Sequence, residues 1–120
     1  MAQYVDGFVL PIPKDKVDLY RSIAEGAAKI WREHGAVEYR ECIAEDMDAK
    51  EMVSFLRLAG AGPDETVVFA WILFESRSSR DEVNAKVMAD ERLKGMCEKG
   101  QAPFDYKRMA YGGFQTLVTA

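Results

Sequence analysis

The sequence predicts an α+β domain with the element order β-α-β-β-α-β. Three observations carry this. Residues 66–74, TVVFAWILF, are an unbroken apolar and β-branched run of strand length. Residues 14–34 instead place Val17, Tyr20, Ala24, Ala27 and Trp31 at three- and four-residue steps, the stripe of an amphipathic helix. Around these two segments lie further short strand-like runs and one more helical stretch, separated by Gly, Pro and Asp clusters.

Residues 3–10, QYVDGFVL, open the chain as a strand closed by Pro11 and Pro13. The helix over 14–34 has Asp15 and Asp18 in its first turns and Arg32 and His34 in its last, an order that suits its dipole. Gly35 follows as its C-terminal cap. AVEYRECI, residues 36–43, reads as the second strand, and EDMDAKE as a solvated loop. MVSFLRLAG, residues 52–60, is compatible with an extended arm or a single helical turn. GAGPDE, residues 60–65, is turn chemistry leading into the strand over 66–74. Ser79-Arg80-Asp81-Glu82 has the spacing of a capping box, so a second helix is expected from there to about Ala89, with Val83, Val87 and Met88 on its inner face. ADERLKGM adds a short turn, EKGQAP a loop, and residues 106–117 the last strand.

This order is the split βαβ, ferredoxin-like arrangement, with an antiparallel sheet and both helices on one face. The strand over 66–74 is apolar on both sides, so the sheet face away from the helices also needs cover. With no further element left over, a second copy packing sheet against sheet is the expected cover, which makes the protein a homodimer. The chain of 120 residues is one domain, 1–120, with 48% hydrophobic residues and a net charge of −4. The absence of a basic stripe argues against a nucleic-acid partner. VVFAWILF is far shorter than the ~20 residues of a membrane helix. Cys42 and Cys97 are too few for a disulfide scaffold, and the N-terminal residues do not read as a signal peptide, so the expected location is cytoplasmic.

YVDGFV (4–9), DETVVFAW (64–71) and FDYKRMAYGGF (104–114) together resemble the YbaA-like family of bacterial proteins, in the dimeric α+β-barrel superfamily. The resemblance runs over nearly the whole chain. It implies a ferredoxin-like protomer and a two-fold dimer whose two sheets build a dimeric α+β barrel. It implies no particular reaction, because the family has none assigned. Proteins of the superfamily often hold small apolar molecules between sheet and helices, and some are cofactor-independent monooxygenases or haem-degrading enzymes.

Motifs for nucleotide, cofactor or zinc binding are absent, so no cofactor and no metal are expected. The candidate residues are fewer and weaker. Asp6 and Arg108 fall on the first and last strands, which are antiparallel neighbours in this topology, and could pair across the sheet. Such a pair either fixes register or orients a ligand, with Tyr111 donating a hydrogen bond beside it. Glu38, Arg40 and Cys42 share one strand face, an exposed edge or a cavity wall. His34 is a helix-end cation or a general base near neutral pH. Cys42 reads as a small buried apolar residue. Three functions are therefore weighed: a binder of a small molecule in a barrel cavity, a non-catalytic structural or interaction module, and a cofactor-independent monooxygenase-like enzyme.

Overall fold

The computed structural model describes residues 2–98 and 103–120, the side chains of Cys97 and Glu98 apart. The elements are β1 (Tyr4–Pro13), α1 (Val17–His34), β2 (Glu38–Ile43), α2 (Phe55–Ala59), β3 (Glu65–Phe74), α3 (Arg77–Met88), α4 (Glu91–Glu98) and β4 (Ala110–Gln115). Short 3-10 turns precede α1 (Lys14–Lys16) and β4 (Tyr106–Arg108). All strand pairs are antiparallel, in the order β2-β3-β1-β4. The ferredoxin-like order expected from the sequence is therefore the observed one, with β3 between the two strands that α1 connects.

Alternation along the strands decides what each face carries. Even-numbered residues of β1 and β3 point under the helices, where Leu10, Ile12, Val68, Ala70, Ile72 and Phe74 are buried. They form two clusters. Leu10, Ile12, Val68 and Ala70 make one, and Ile72 and Phe74 join Ile30, Val83 and Val87 in the other. A fully buried side chain of this kind contributes about 1.5–3 kcal/mol. The gap between the clusters is where the candidate site lies.

The sequence leaves no further element of the chain for the opposite face, but the structure supplies one. The segment 52–60 forms the short helix α2 and packs against β1 and β3. Ser54 starts it by accepting a hydrogen bond from Leu56 N, and Gly60, with φ of 66°, ends it in the left-handed region. Phe55 then packs against Phe69, the two rings tilted and 6.0 Å apart between centroids. Beyond α2 this face stays open, with Phe69 and Phe114 among its exposed residues.

Element ends differ from expectation where a side chain offers an earlier cap. Helix α3 starts at Arg77, because Ser76 Oγ accepts from Ser79 N at 3.1 Å, and the expected capping box from Ser79 does not form. The residues after Ala89 make the two-turn helix α4 rather than a single turn. Strand β4 starts at Ala110 rather than 106. Asp105 accepts from Lys107 N at 2.9 Å and folds the lead-in into a turn. Most of the loop expected over 98–103 lies outside the described residues. Cys42 is exposed on the open face, not buried. Met88 is largely exposed, while Val83 and Val87 are buried as expected. At Gly35, φ of 121° and hydrogen bonds to Arg32 O and Trp31 O close α1.

Candidate functional site

Between the sheet and the helices lies a cavity of about 430 Å³. It exists because small residues face each other where large ones would meet. Ala24 and Ala27 of α1 form its roof and Ala70 of β3 part of its floor. Interiors otherwise pack at crystal-like density, so three alanines at facing positions leave a void. Helix α4 closes one side with Leu93 and Met96. Its approach depends on Gly26, where an added Cβ would overlap Met96 Cε. Phe104 and Met109 complete the wall near the C-terminal segment.

One end of the cavity is a connected polar network around Asp6, which is only 1% exposed. Arg80 Nη1 donates to Asp6 Oδ1 at 3.1 Å, and Asn84 Nδ2 donates to Asp6 Oδ2 at 3.2 Å. The same Nη1 donates to the Tyr111 hydroxyl at 2.9 Å. The Arg80 guanidinium lies over the Tyr4 ring, 4.8 Å from its centroid. Trp31 Nε1 donates to Asn84 Oδ1 at 3.0 Å, so β1, β4, α1 and α3 all join the network. Arg80 Nε is 2.9 Å from Asp81 Oδ1, but out of line for a hydrogen bond. Burial and the Asp6 charge push the Tyr111 hydroxyl above its usual pKa, so it stays protonated.

The other end is built around Glu41. The hydroxyl of Tyr39 donates to Glu41 Oε2 at 2.6 Å, and that of Tyr20 donates to Oε1. Burial, joined by the Glu41 carboxylate, drives both phenols well above their ordinary range, so both act as donors. The sheet register puts Glu41 and Tyr111 in one row across the strands, with Ala70 and Phe8 between them. Three inter-strand steps separate the two ends by about 14 Å along the backbone.

Of the residues named from sequence, Asp6 and Tyr111 are brought together and line the cavity. Arg108 is not their partner. It lies in the turn before β4, donates to both Glu65 carboxylate oxygens at 2.8 Å and to Gly60 O at 2.7 Å, and does not line the cavity. His34 also sits elsewhere. Its Nε2 is 2.8 Å from Asp90 Oδ2, at the junction of α1 with α4. Glu38 and Arg40 pair at 2.8 Å on the open side of β2, with Arg40 over the Trp71 ring. Arg80, Asn84, Tyr20 and Glu41 are site residues that the sequence does not point to as such: Tyr20 reads only as part of the helix stripe and Arg80 only as part of the capping box. The legible signal for Glu41 was its alternation with Tyr39 and Ile43, which puts it on the inward face of β2. Among the described residues, no group of three or more His, Cys, Asp or Glu side chains is placed to hold a metal ion. No described helix is long and apolar enough to cross a membrane.

The fold is shared with several solved structures. A NIPSNAP-family protein of unknown function from Agrobacterium tumefaciens strain C58 superposes with a TM-score of 0.64 at 16% identity, over 96% of this chain and 88% of that one. A protein from Nitrosomonas europaea, provisionally named an antibiotic biosynthesis monooxygenase, gives 0.57 at 11% identity, over 97% and 91%. A dimeric ferredoxin-like protein from an uncultured marine organism gives 0.57 at 8%, over 100% and 98%. At these identities the likeness is one of fold alone. In sequence, the Escherichia coli K12 protein described as "Uncharacterized protein YbaA" is 43% identical over 116 residues, 97% of either chain. The family described as "Protein of unknown function (DUF1428)" matches residues 3–106, and the chain belongs to it.

Proposed function

We propose that this protein is a small cytoplasmic homodimer that binds a small, largely apolar molecule in the cavity between sheet and helices. The observation that carries the reading is a 430 Å³ void walled by alanine, methionine and aromatic side chains, with a polar network around the buried Asp6 at one end. A mostly apolar concavity with a few convergent polar groups is the usual form of a small-molecule site. In it Asp6 holds Arg80 and Asn84 in place, and the Tyr111 hydroxyl faces the ligand. A purely structural module would have no use for such a void, because filling it would gain stability. The dimer is supported by the apolar residues Phe69 and Phe114 on the open sheet face and by the dimeric ferredoxin-like neighbour of the same fold. The exposed, unpaired Cys42 suits a reducing compartment.

The test is an uncharged apolar dye such as Nile red, titrated into the wild type and into Ala27→Leu, which fills the void without touching a polar group. The filled variant is expected to bind the dye at least ~10-fold more weakly with its circular dichroism unchanged. Equal binding by both proteins would overturn the reading.

A further inference from the structure

The two carboxylates at the ends of the cavity are neutralised differently. Asp6 has the Arg80 guanidinium. Among the described residues Glu41 has no ion pair, and its partners are two neutral phenols. It is the one formal charge among the described cavity-lining residues without an opposite charge beside it. A shallow groove on the outer side of Tyr20 and Glu41 holds Arg21 and Glu25, but Arg21 is bound to Asp18 at 2.6 Å. The two phenols occupy one lone pair on each Glu41 oxygen and leave the other free for a further donor.

The surroundings of Glu41 are aromatic. Tyr20 meets Phe104 edge-on at 5.7 Å, Phe104 meets Tyr106 at 4.9 Å, and Trp31 lies 6.0 Å from Tyr39. All five rings line the cavity. A half-buried carboxylate without a cation, set among aromatic rings, attracts an organic cation twice over, by charge and by the ring quadrupoles.

We propose that Glu41, clasped by Tyr20 and Tyr39, is the recognition point for a protonated amine, and that the ligand is an amine carried on an apolar skeleton. This rests on the reading of the cavity as a ligand site. The apolar skeleton then lies along Ala70 and Phe8 toward Tyr111. An anionic ligand such as a fatty acid is rejected, because its carboxylate would meet Glu41 unscreened.

The experiment uses one skeleton with three head groups: 4-phenylbutylamine, 4-phenylbutan-1-ol and 4-phenylbutyrate, titrated calorimetrically at pH 7.5. In the wild type the amine is expected to bind about tenfold or more tighter than the alcohol, with the carboxylate weakest. Glu41→Gln should bring the amine-to-alcohol ratio near one while leaving the alcohol within about twofold. Arg108→Gln, outside the cavity, should leave the ratio intact. Equal binding of amine and alcohol by the wild type would overturn the proposal, as would a preference that survives in Glu41→Gln. The wild-type series decides by itself should the variant fail to fold. If the alcohol binds without any preference for the amine, only this proposal falls. If neither binds and Nile red fails as well, the cavity reading falls with it.

Discussion

On the helix side of the sheet, Leu10, Ile12, Ile72 and Phe74 are at most 3% exposed, and even the carboxylate of Asp6 is sealed in. On the other side, Phe69 and Phe114 stand 45% and 61% exposed on the same strands. Neighbouring residues feed both faces. Gly112 and Gly113 are adjacent in β4, and each makes room for a ring, but on opposite sides. The Phe114 ring lies over Gly112 and Gly7 on the open face, whereas the Tyr4 ring lies over Gly113 on the helix face. There is no bulge at the Gly pair, as the register from Tyr4–Gln115 to Val9–Ala110 is continuous. The helix face thus spends its aromatic and polar groups on a fixed internal network. The open face keeps its aromatic groups available for another surface.

The contrast can be broken most sharply at Asp6. Asp6→Ala leaves Arg80, itself mostly buried, without its carboxylate, and should cost about 3–5 kcal/mol in urea denaturation. A loss below about 1 kcal/mol would mean that the network contributes little to the fold. Next in size is the open face. Phe69→Asp should weaken self-association by about 2 kcal/mol or more, roughly thirtyfold, in sedimentation analysis while leaving the helical content intact. A variant that sediments like the wild type would remove this face from the dimer.

The two glycines sharpen the comparison within one dipeptide. In Gly113→Ala the new Cβ would come within 2.7 Å of Tyr4 Cε2, so the ring that carries Arg80 must shift, at about 1–2 kcal/mol. Gly112→Ala meets Phe114 at 3.5 Å, an ordinary contact, and should change stability by less than about 0.5 kcal/mol. Equal effects of the two substitutions would contradict the assignment of the rings to opposite faces.

The smallest expected effect is at Arg108, which ties the lead-in of β4 to Gly60, the end of the open-face helix α2. The Arg108 hydrogen bonds hold the Glu65 carboxyl down to about 2, from an ordinary 4.5. A carboxyl depressed on folding adds stability above its unfolded value and loses it as pH falls toward the folded one. The melting-temperature gap between wild type and Arg108→Gln should therefore be constant at neutral pH and close between pH 4.5 and 2. A gap of constant size across that window would show that the pair does not act through charge.

The fold was readable because β3 and α1 announce their periods without ambiguity. TVVFAWILF has no polar interruption, and the stripe from Val17 to Trp31 keeps one helical face throughout. The candidate site was readable only in part. Asp6 and Tyr111 fall on paired strands, so topology alone brings them together. Their cation does not, because Arg80 lies in the run Ser79-Arg80-Asp81-Glu82, which looks like solvated helix surface. Only the rotation of α3 turns Arg80 inward, and that is set by the Ser76 cap three residues before the expected one. Arg108 was misplaced for a similar reason. The Asp105 turn shortens β4, and strand alternation no longer applies where the chain is not a strand. Glu41 stayed hidden because its meaning depends on Tyr20, which is 21 residues away and on another element.

The placement of the two tryptophans gives the molecule a built-in pair of optical probes. Trp31 lines the cavity with its indole N–H tied to Asn84, and Trp71 lies beneath Arg40 on the open face. Emission from Trp31 should respond to occupancy of the cavity and emission from Trp71 to association of two copies. With Trp71→Phe and Trp31→Phe prepared separately, ligand uptake and self-association become independent signals from unlabelled protein.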